Sequence, residues 1–382
     1  MFAKVRPVGS FVPQPEHVDT LSLPWDDHYT TLFTASGAEA LSMAVQAAIT
    51  MKAVSGIPEV IIPAYGCPDL IAAVVAQNAR PVLVDFAKDR PVMDVKGIRR
   101  ALNSRTVAII AVDFLGSYER LPQLANICSD NGVILIEDSA QCFPPSSSRH
   151  GLADFVVLSF GRGKPINLMG GGALLIRRSW PTVVEAFRSE YPALPRRSGF
   201  IWDLKRLVFN FLLSRYVYPV LENIPFLHIG QTRFRPLGKI RRLDLPASAL
   251  AGGIKAFYRR EPIHLLYSRQ LAFIEQAGWT IIGSFDSNDR LPRLRFALLA
   301  PDESRRNEAI KKLNENGIGA NAFYERVLPE IVDAPVLNHL LAGAYPEAKD
   351  FASRLVTLPT HEGVTEKDVE AIVSIFKDLN RE

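Results

Sequence analysis

The chain has 382 residues, room for two to three domains and at least one sizeable core. With 48% hydrophobic, 22% charged and 9% aromatic residues it falls outside the disordered and collagen-like classes. Forty-four Lys and Arg against forty Asp and Glu leave only +4, too dilute an excess to mark a nucleic-acid-binding protein.

Three cysteines, Cys67, Cys128 and Cys142, form no CxxC pair and have no His at zinc-ligand spacing, so no disulfide framework and no metal site is expected. A reducing, cytoplasmic setting fits them. Within the expected N-terminal arm, residues 1–30, the stretch Met1 to Pro15 lacks an apolar segment followed by a small-residue cleavage site. The greasiest run, Leu207 to Leu213, is short of the roughly 20 residues that span a bilayer.

From residue 31 onward, apolar β-branched runs alternate with helix-like segments, the rhythm of an α/β domain expected over 31–250. Ser36-Gly37-Ala38-Glu39 opens a helix through Leu41, Ala44, Val45, Ala48 and Ile49 that is expected to end near Gly56. Its Ser-x-x-Glu pattern predicts a capping box. Six strands follow, at Glu59–Pro63, Pro81–Asp85, Val107–Asp113, Val133–Asp138, Phe155–Ser159 and Ala173–Ile176. They are continuous apolar runs, as in a parallel sheet covered on both faces.

Between Trp180 and Arg242 the composition changes to eleven Lys and Arg against four acids, with aromatics interleaved. This insertion (180–242) reads either as a surface that meets anionic lipid headgroups or a lipid-linked phosphate, or as a helical excursion whose apolar side packs on the main domain or a partner subunit. A smaller C-terminal α+β domain is expected over 251–382. It has strands or turns at Leu294–Leu299 and 317–324, and a final helix Glu366–Leu379 capped by Thr365.

Ligands of open α/β sheets sit beyond the carboxyl ends of the strands, where Asp85, Asp113, Asp138 and Ser159 end or follow apolar runs. Capping a following helix is the simpler role for Asp85, and an even alternative for Asp113. Gly161-Arg162-Gly163-Lys164 is no nucleotide P-loop, since Leu158 and Pro165 stand where that motif needs Gly and Ser or Thr. A lysine just past a buried strand is instead a candidate nucleophilic amine. With a carboxylate at Asp138 and a helix N-terminus at Ser36, one explanation covers all three. Lysine forms a Schiff base with pyridoxal phosphate, the carboxylate keeps the ring nitrogen protonated, and the helix takes the phosphate.

Ser36 to Leu41 (SGAEAL), Glu137 to Gln141 (EDSAQ) and Ser159 to Gly172 (SFGRGKPINLMGGG) resemble the cofactor motifs of the DegT-type sugar aminotransferases, fold-type I pyridoxal phosphate enzymes. The resemblance continues through Arg326–Pro329, Tyr345–Ala348 and Leu358–Thr360. It implies a large domain with a mostly parallel central sheet, a smaller C-terminal domain, and a homodimer. By the same resemblance Lys164 is the catalytic lysine, Asp138 pairs with the ring nitrogen, and Gln141 meets the ring hydroxyl. Ser159 and the amides of Gly37, Ala38 and Glu39 take the phosphate.

The chain departs from the family pattern at several points. Ala38 replaces a Thr, Cys67 stands where an aromatic stacks on the ring (a role left to Tyr65), Gly170 replaces an acid, and Asp113 replaces a His. The Asn that crosses the dimer to the phosphate is missing near Lys239 to Arg242, whose basic residues are its candidate replacements. Cys67 reads otherwise as a reactive thiol or a small buried hydrophobe. His28, His228, His264 and His361 read as surface or capping residues.

The expected activity is transfer of an amino group from an amino acid, glutamate, to a nucleotide- or lipid-linked keto-sugar in glycan assembly, with peripheral contact at the inner membrane face as a further expectation. Two alternatives stay open: another pyridoxal phosphate reaction (lyase, dehydratase or carbon–carbon chemistry), and a cofactor-binding regulator or scaffold without turnover.

Overall fold

Alternate residues of the apolar runs face opposite sides of one sheet, and both sides are covered. The computed structural model describes residues 3–148, 150–194, 199–222, 224, 232–283, 290–332, 337 and 341–381. In chain order the larger part comprises β1 (Tyr29–Thr34), α1 (Gly37–Met51), β2 (Glu59–Pro63), α2 (Asp69–Val75), β3 (Arg80–Val84), α3 (Val95–Ala101), β4 (Thr106–Val112), α4 (Leu121–Asn131), β5 (Ile134–Asp138), β6 (Phe155–Ser159) and β7 (Gly172–Arg177). It continues with α5 (Pro181–Glu190), β8 (Ala193–Leu194), α6 (Gly199–Leu212), α7 (Tyr218–Glu222), β9 (Arg242–Leu243) and α8 (Ala247–Tyr258).

The strands form one sheet in the order β3-β2-β4-β5-β6-β7-β1-β9-β8. β2 to β6 run parallel, while β7 is antiparallel to β6 and β1 antiparallel to β7. In β4, Ala108, Ile110 and Val112 pack into the layer that holds α1 and α2. Ile109 and Ala111 pack into the opposite layer with Ile98, Leu121 and Leu124 of α3 and α4. This two-sided burial explains why the runs read as uninterrupted hydrophobics.

The six expected strands are present, with ends shifted by no more than one residue. β1 was not among them, because Tyr29-Thr-Thr-Leu-Phe-Thr is no continuous apolar run: it carries three threonines and three half-buried positions. α1 stops at Met51, short of Gly56, where Lys52 closes it by donating its amide to the Ala48 carbonyl. Only half of its capping box forms: Ser36 Oγ accepts from the Glu39 amide at 3.2 Å, but the Glu39 carboxylate accepts from the Arg241 amide at 2.7 Å.

The smaller part contains α9 (Ile263–Gln270), β10 (Thr280–Ile282), β11 (Arg295–Leu299), α10 (Glu303–Glu315), α11 (Leu328–Ile331), α12 (Pro346–Arg354), β12 (Leu355–Pro359) and α13 (Glu366–Leu379). β10, β11 and β12 form an antiparallel sheet with its own core, including Phe296, Leu298, Val369, Ile372 and Phe376. α13 has the expected bounds, and Thr365 with Asp368 makes a complete capping box. The domain division at residue 250 falls inside α8, whose Leu250 and Phe257 pack against the large sheet.

The helical excursion in the insertion forms α6, oriented against the expectation that its apolar side packs on the main domain. Phe200, Leu204, Leu207 and Phe211 are 53–80% exposed, and Arg206 is the buried residue of the helix. No helix among the described residues is long and apolar enough to cross a membrane.

Candidate active site

A cavity opens at the carboxyl ends of the parallel strands, where sheets of this topology hold their ligands. Its walls include Val112 at the end of β4 and Asp113 after it, Asp138 at the end of β5, Ser159 at the end of β6, Ser36 to Ala38 at the start of α1, and Lys164. Leu41, Cys67, Asp69, Leu70, Ala140 and Gln141 complete the lining. Lys164, Asp138, Gln141, Ser159, Gly37, Ala38 and Cys67 are thereby brought to one place. Glu39 contributes no lining, and its amide is taken by Ser36 Oγ.

The start of α1 is set tightly against the sheet. A Cβ on Gly37 would stand 2.8 Å from Ser159 Cβ, and one on Gly172 would stand 2.6 Å from the Gly37 nitrogen. Glycine at both positions lets the positive end of α1 sit beside Ser159, leaving the first-turn amides at the cavity wall.

Lys164 rides on a loop of unusual backbone, with Gly163 at φ 72°, Met169 at φ 63° and Gly171 at φ 99°. The loop is tied back by the Leu168 and Gly170 amides, which donate to the Phe160 carbonyl. The N-terminal arm pins it further: Asn167 Nδ2 donates to the Ser10 carbonyl at 2.7 Å, and Gly9, at φ 97°, packs on Gly163. No local pattern in residues 1–30 signals this contact.

Burial pushes the Asp138 carboxyl above the usual carboxylate range, and the Lys164 ammonium pulls it back. Its Oδ1 accepts from the Ala140 amide at 3.1 Å. A cation in the cavity would therefore complete the environment of this carboxylate. Gln141 Oε1 accepts from the Leu115 amide at 3.2 Å, which fixes the side chain and turns its amino group to donor duty.

Asp113, on the cavity wall, and its neighbour Glu137 are both fully buried. Burial and the neighbouring Glu137 hold the Asp113 carboxyl well above the usual carboxylate range. Its oxygens accept from the Glu119 amide at 3.0 Å and from Ser139 Oγ at 2.9 Å, while Glu137 accepts from the Ser146 and Ser147 amides. Asp113 thus caps no following helix; it joins the ends of β4 and β5. Asp69, in the first turn of α2, is a lining residue that the sequence did not single out, because an acid there reads as an ordinary helix start.

Tyr65 does not border the cavity. It lies in an aromatic cluster with Phe86, Phe114, Tyr324 and Phe351, and its hydroxyl donates to the Tyr324 carbonyl at 2.7 Å. Cys67 lines the cavity instead, and burial pushes its thiol up to about 12. Arg241 and Arg242 are engaged within their own chain, by the Arg241 amide to Glu39 and by the Arg242 guanidinium to the Tyr191 and Arg188 carbonyls. His361 and His264 are buried, His28 is half-buried, and His228 lies outside the described residues.

The profile of the DegT/DnrJ/EryC1/StrS aminotransferase family matches residues 27–180 and 250–377, which include every lining residue named above. The chain belongs to this family. Its relatives include a dTDP-4-dehydro-2,3,6-trideoxy-D-glucose 4-aminotransferase from Saccharopolyspora spinosa, 25% identical over 92% of this chain and 84% of the relative. GDP-perosamine synthase from Vibrio cholerae is 26% identical over 92% and 86%. The fold is that of S. venezuelae DesV (TM-score 0.67, 18% identity, 95% and 90% of the two chains). It is also that of a putative sugar aminotransferase from Streptococcus pneumoniae in its PLP form (TM-score 0.65, 18%, 97% and 99%).

The family architecture, a large mostly parallel sheet with a small antiparallel three-stranded one, is the fold-type I arrangement. The stretch between the two matched segments carries α5, α6 and α7. Within the DegT cavity the donor set fits pyridoxal phosphate: amides at the start of α1 for an anion, a buried carboxylate for a ring cation, an amide donor at Gln141, and an amine at Lys164.

Proposed function

We propose that this member of the family is a pyridoxal phosphate-dependent aminotransferase that takes an amino group from an amino acid, glutamate, and delivers it to a keto-sugar carried on a nucleotide or a lipid, for glycan biosynthesis. The observation that carries the reading is the placement of Lys164, Asp138 and the start of α1 on one cavity. The named relatives act on nucleotide-linked sugars, and that supports the acceptor class. The resemblance in sequence supports a homodimer, and three free cysteines support a reducing compartment.

Bound pyridoxal phosphate supplies a carbonyl that accepts the amino group and a ring that withdraws electron density. Lys164 Nζ holds the cofactor, then removes the proton from the α carbon of the donor and in the second half-reaction returns one to the former carbonyl carbon of the acceptor. Asp138, as a carboxylate, keeps the ring nitrogen charged. The amides of Gly37 and Ala38, with Ser159 Oγ, anchor the phosphate, and Gln141 Nε2 orients the ring oxygen. Ala38 offers no hydroxyl, so this anchoring rests on backbone amides and Ser159.

The test is the visible spectrum of protein purified with pyridoxal phosphate, followed by borohydride reduction and peptide mapping. Wild type should show a visible band trapped on Lys164, bleached by glutamate. Lys164→Ala should lack the trapped adduct and lose about 10²–10⁴-fold or more in turnover. A cofactor trapped on another lysine, or no band in wild type, overturns the assignment. Bound cofactor that no amino donor converts favours the scaffold reading.

A further inference from the structure

β4 and β5 run side by side, and the last residues paired between them are Val112 and Asp138. Past that rung the Asp113 amide still donates to the Asp138 carbonyl, at 3.0 Å. The next link between the two strand ends is made by side chains: Ser139 Oγ donates to Asp113 Oδ2 at 2.9 Å. Asp113 Oδ1 accepts from the Glu119 amide at 3.0 Å. Both oxygens are therefore turned to protein partners, although the residue lies on the cavity wall.

We propose that Asp113 is a positioning residue, which by gripping Ser139 fixes the aim of Asp138, the carboxylate that faces the ring nitrogen of the cofactor. The role rests on the proposed aminotransferase reading. Asp138 Oδ1 accepts from the Ala140 amide at 3.1 Å, a donor that belongs to the same turn, 138–142. The carboxylate thus points where that turn points, and the residues after β4 hold the turn. Besides the grip of Asp113, the Leu115 amide donates to Gln141 Oε1 at 3.2 Å and Cys142 Sγ donates to the Ser117 carbonyl at 3.8 Å. Leu115 makes its bond at φ 55°, a left-handed backbone that a side chain of this kind adopts only where its surroundings impose it.

A binding carboxylate acts at full strength only when its supporting groups hold it within about 0.5 Å of the productive place. An apolar residue at 113 would leave the buried Glu119 amide and the buried Ser139 hydroxyl without this acceptor. The titratable and charged groups around Asp113 are Glu137 on β5, Glu119 after β4, Cys142 in the turn and Arg293 of the small part, with Asp138, Lys164 and Asp69 on the cavity side. Ser139→Ala alters none of them. A spectral shift in that variant therefore reports the position of Asp138 and not a change of charge.

The test is a pH titration of the visible band of the protein loaded with pyridoxal phosphate. A charged ring nitrogen lowers the pH at which the lysine–cofactor linkage gives up its proton, because like charges disfavour one another. Misaiming Asp138 raises that midpoint, and Asp138→Asn sets the full shift. Ser139→Ala and Asp113→Ala should move the midpoint the same way by about half a pH unit or more, roughly a threefold change in the proton equilibrium, and weaken cofactor retention by about as much. Asp113→Asn should stay near wild type. Its amide oxygen can accept from Glu119 and its amino group can donate to Ser139 Oγ, whose proton then turns to the Cys142 carbonyl at 3.2 Å.

Denaturant midpoints are read on the same proteins. Lower stability with an unmoved band in Ser139→Ala and Asp113→Ala overturns the proposal, since a merely structural role predicts that pair of results. An Asp113→Asn midpoint displaced as far as that of Asp113→Ala overturns it as well, because charge and not grip would then decide. Should Asp113→Ala fail to fold, Ser139→Ala, which removes a single oxygen, decides alone. No band in wild type, or an Asp138→Asn midpoint equal to that of wild type, ends this proposal together with the reading it rests on. An expected shift in Asp138→Asn with none in Ser139→Ala ends this proposal alone.

Discussion

His361 illustrates how one buried ring ties a native structure to pH. Its Nδ1 accepts from the Gly363 amide at 3.0 Å and its Nε2 donates to the Arg6 carbonyl at 2.9 Å, so the neutral ring with the proton on Nε2 satisfies both partners. Burial, with the nearby Arg6 charge, lowers its pKa from 6.5 to about 4. Between these values the unfolded chain binds the extra proton and the native chain does not, so stability falls as pH drops through that window. His361→Gln should flatten this part of the stability profile relative to wild type, as read from denaturant midpoints across pH 4 to 6.5. At Gly172 the constraint is steric. Gly172→Ala sets a Cβ against the backbone of Ser36 and Gly37, and should cost about 1–3 kcal/mol and weaken cofactor retention, measured by denaturation and by spectral titration. Lys164 and Asp138 stood out in the sequence because one follows and the other ends an apolar run at the carboxyl edge of the sheet, while the role of Gln141 came through the resemblance. The placement of Tyr65 in the core, away from the cavity, was not legible, since four aromatic neighbours from distant segments decide it.

Secondary elements followed local rules closely where those rules close within a few residues. α13 begins at the expected Thr365 because both halves of its capping box lie in one turn. At α1 the same pattern half-fails, since Arg241, far along the chain, takes the Glu39 carboxylate. Asp85 makes the point more sharply: it caps no helix that follows it nearby. Its Oδ1 accepts from the Ala348 amide at 2.8 Å and its Oδ2 from the Glu347 amide at 3.2 Å, in the first turn of α12. The end of β3 in the large part thus holds a helix of the small part. Asp85→Ala should cost about 1 kcal/mol, as loss of an N-cap does, in a denaturant titration, and should loosen α12 first in hydrogen exchange.

At the scale of the whole molecule, the N-terminal arm and α6 are the features that reshape the site's surroundings. The arm reaches the Lys164 loop through Ser10 and Gly9 and the small part through the Val5–Ile318 bridge, so both parts of the chain meet on one strap. By itself the sequence determined the strand runs, through their periodicity, and through its motifs the resemblance that pointed to the family and implied the roles of Lys164, Asp138 and Gln141. It also carried the basic, aromatic character of the insertion. Only the tertiary structure decided which face of α6 meets water, that Asp113 joins the ends of β4 and β5, and that Asp85 caps α12. Each of these turns on contacts between residues far apart in the chain, where burial and hydrogen-bond satisfaction outweigh any local preference.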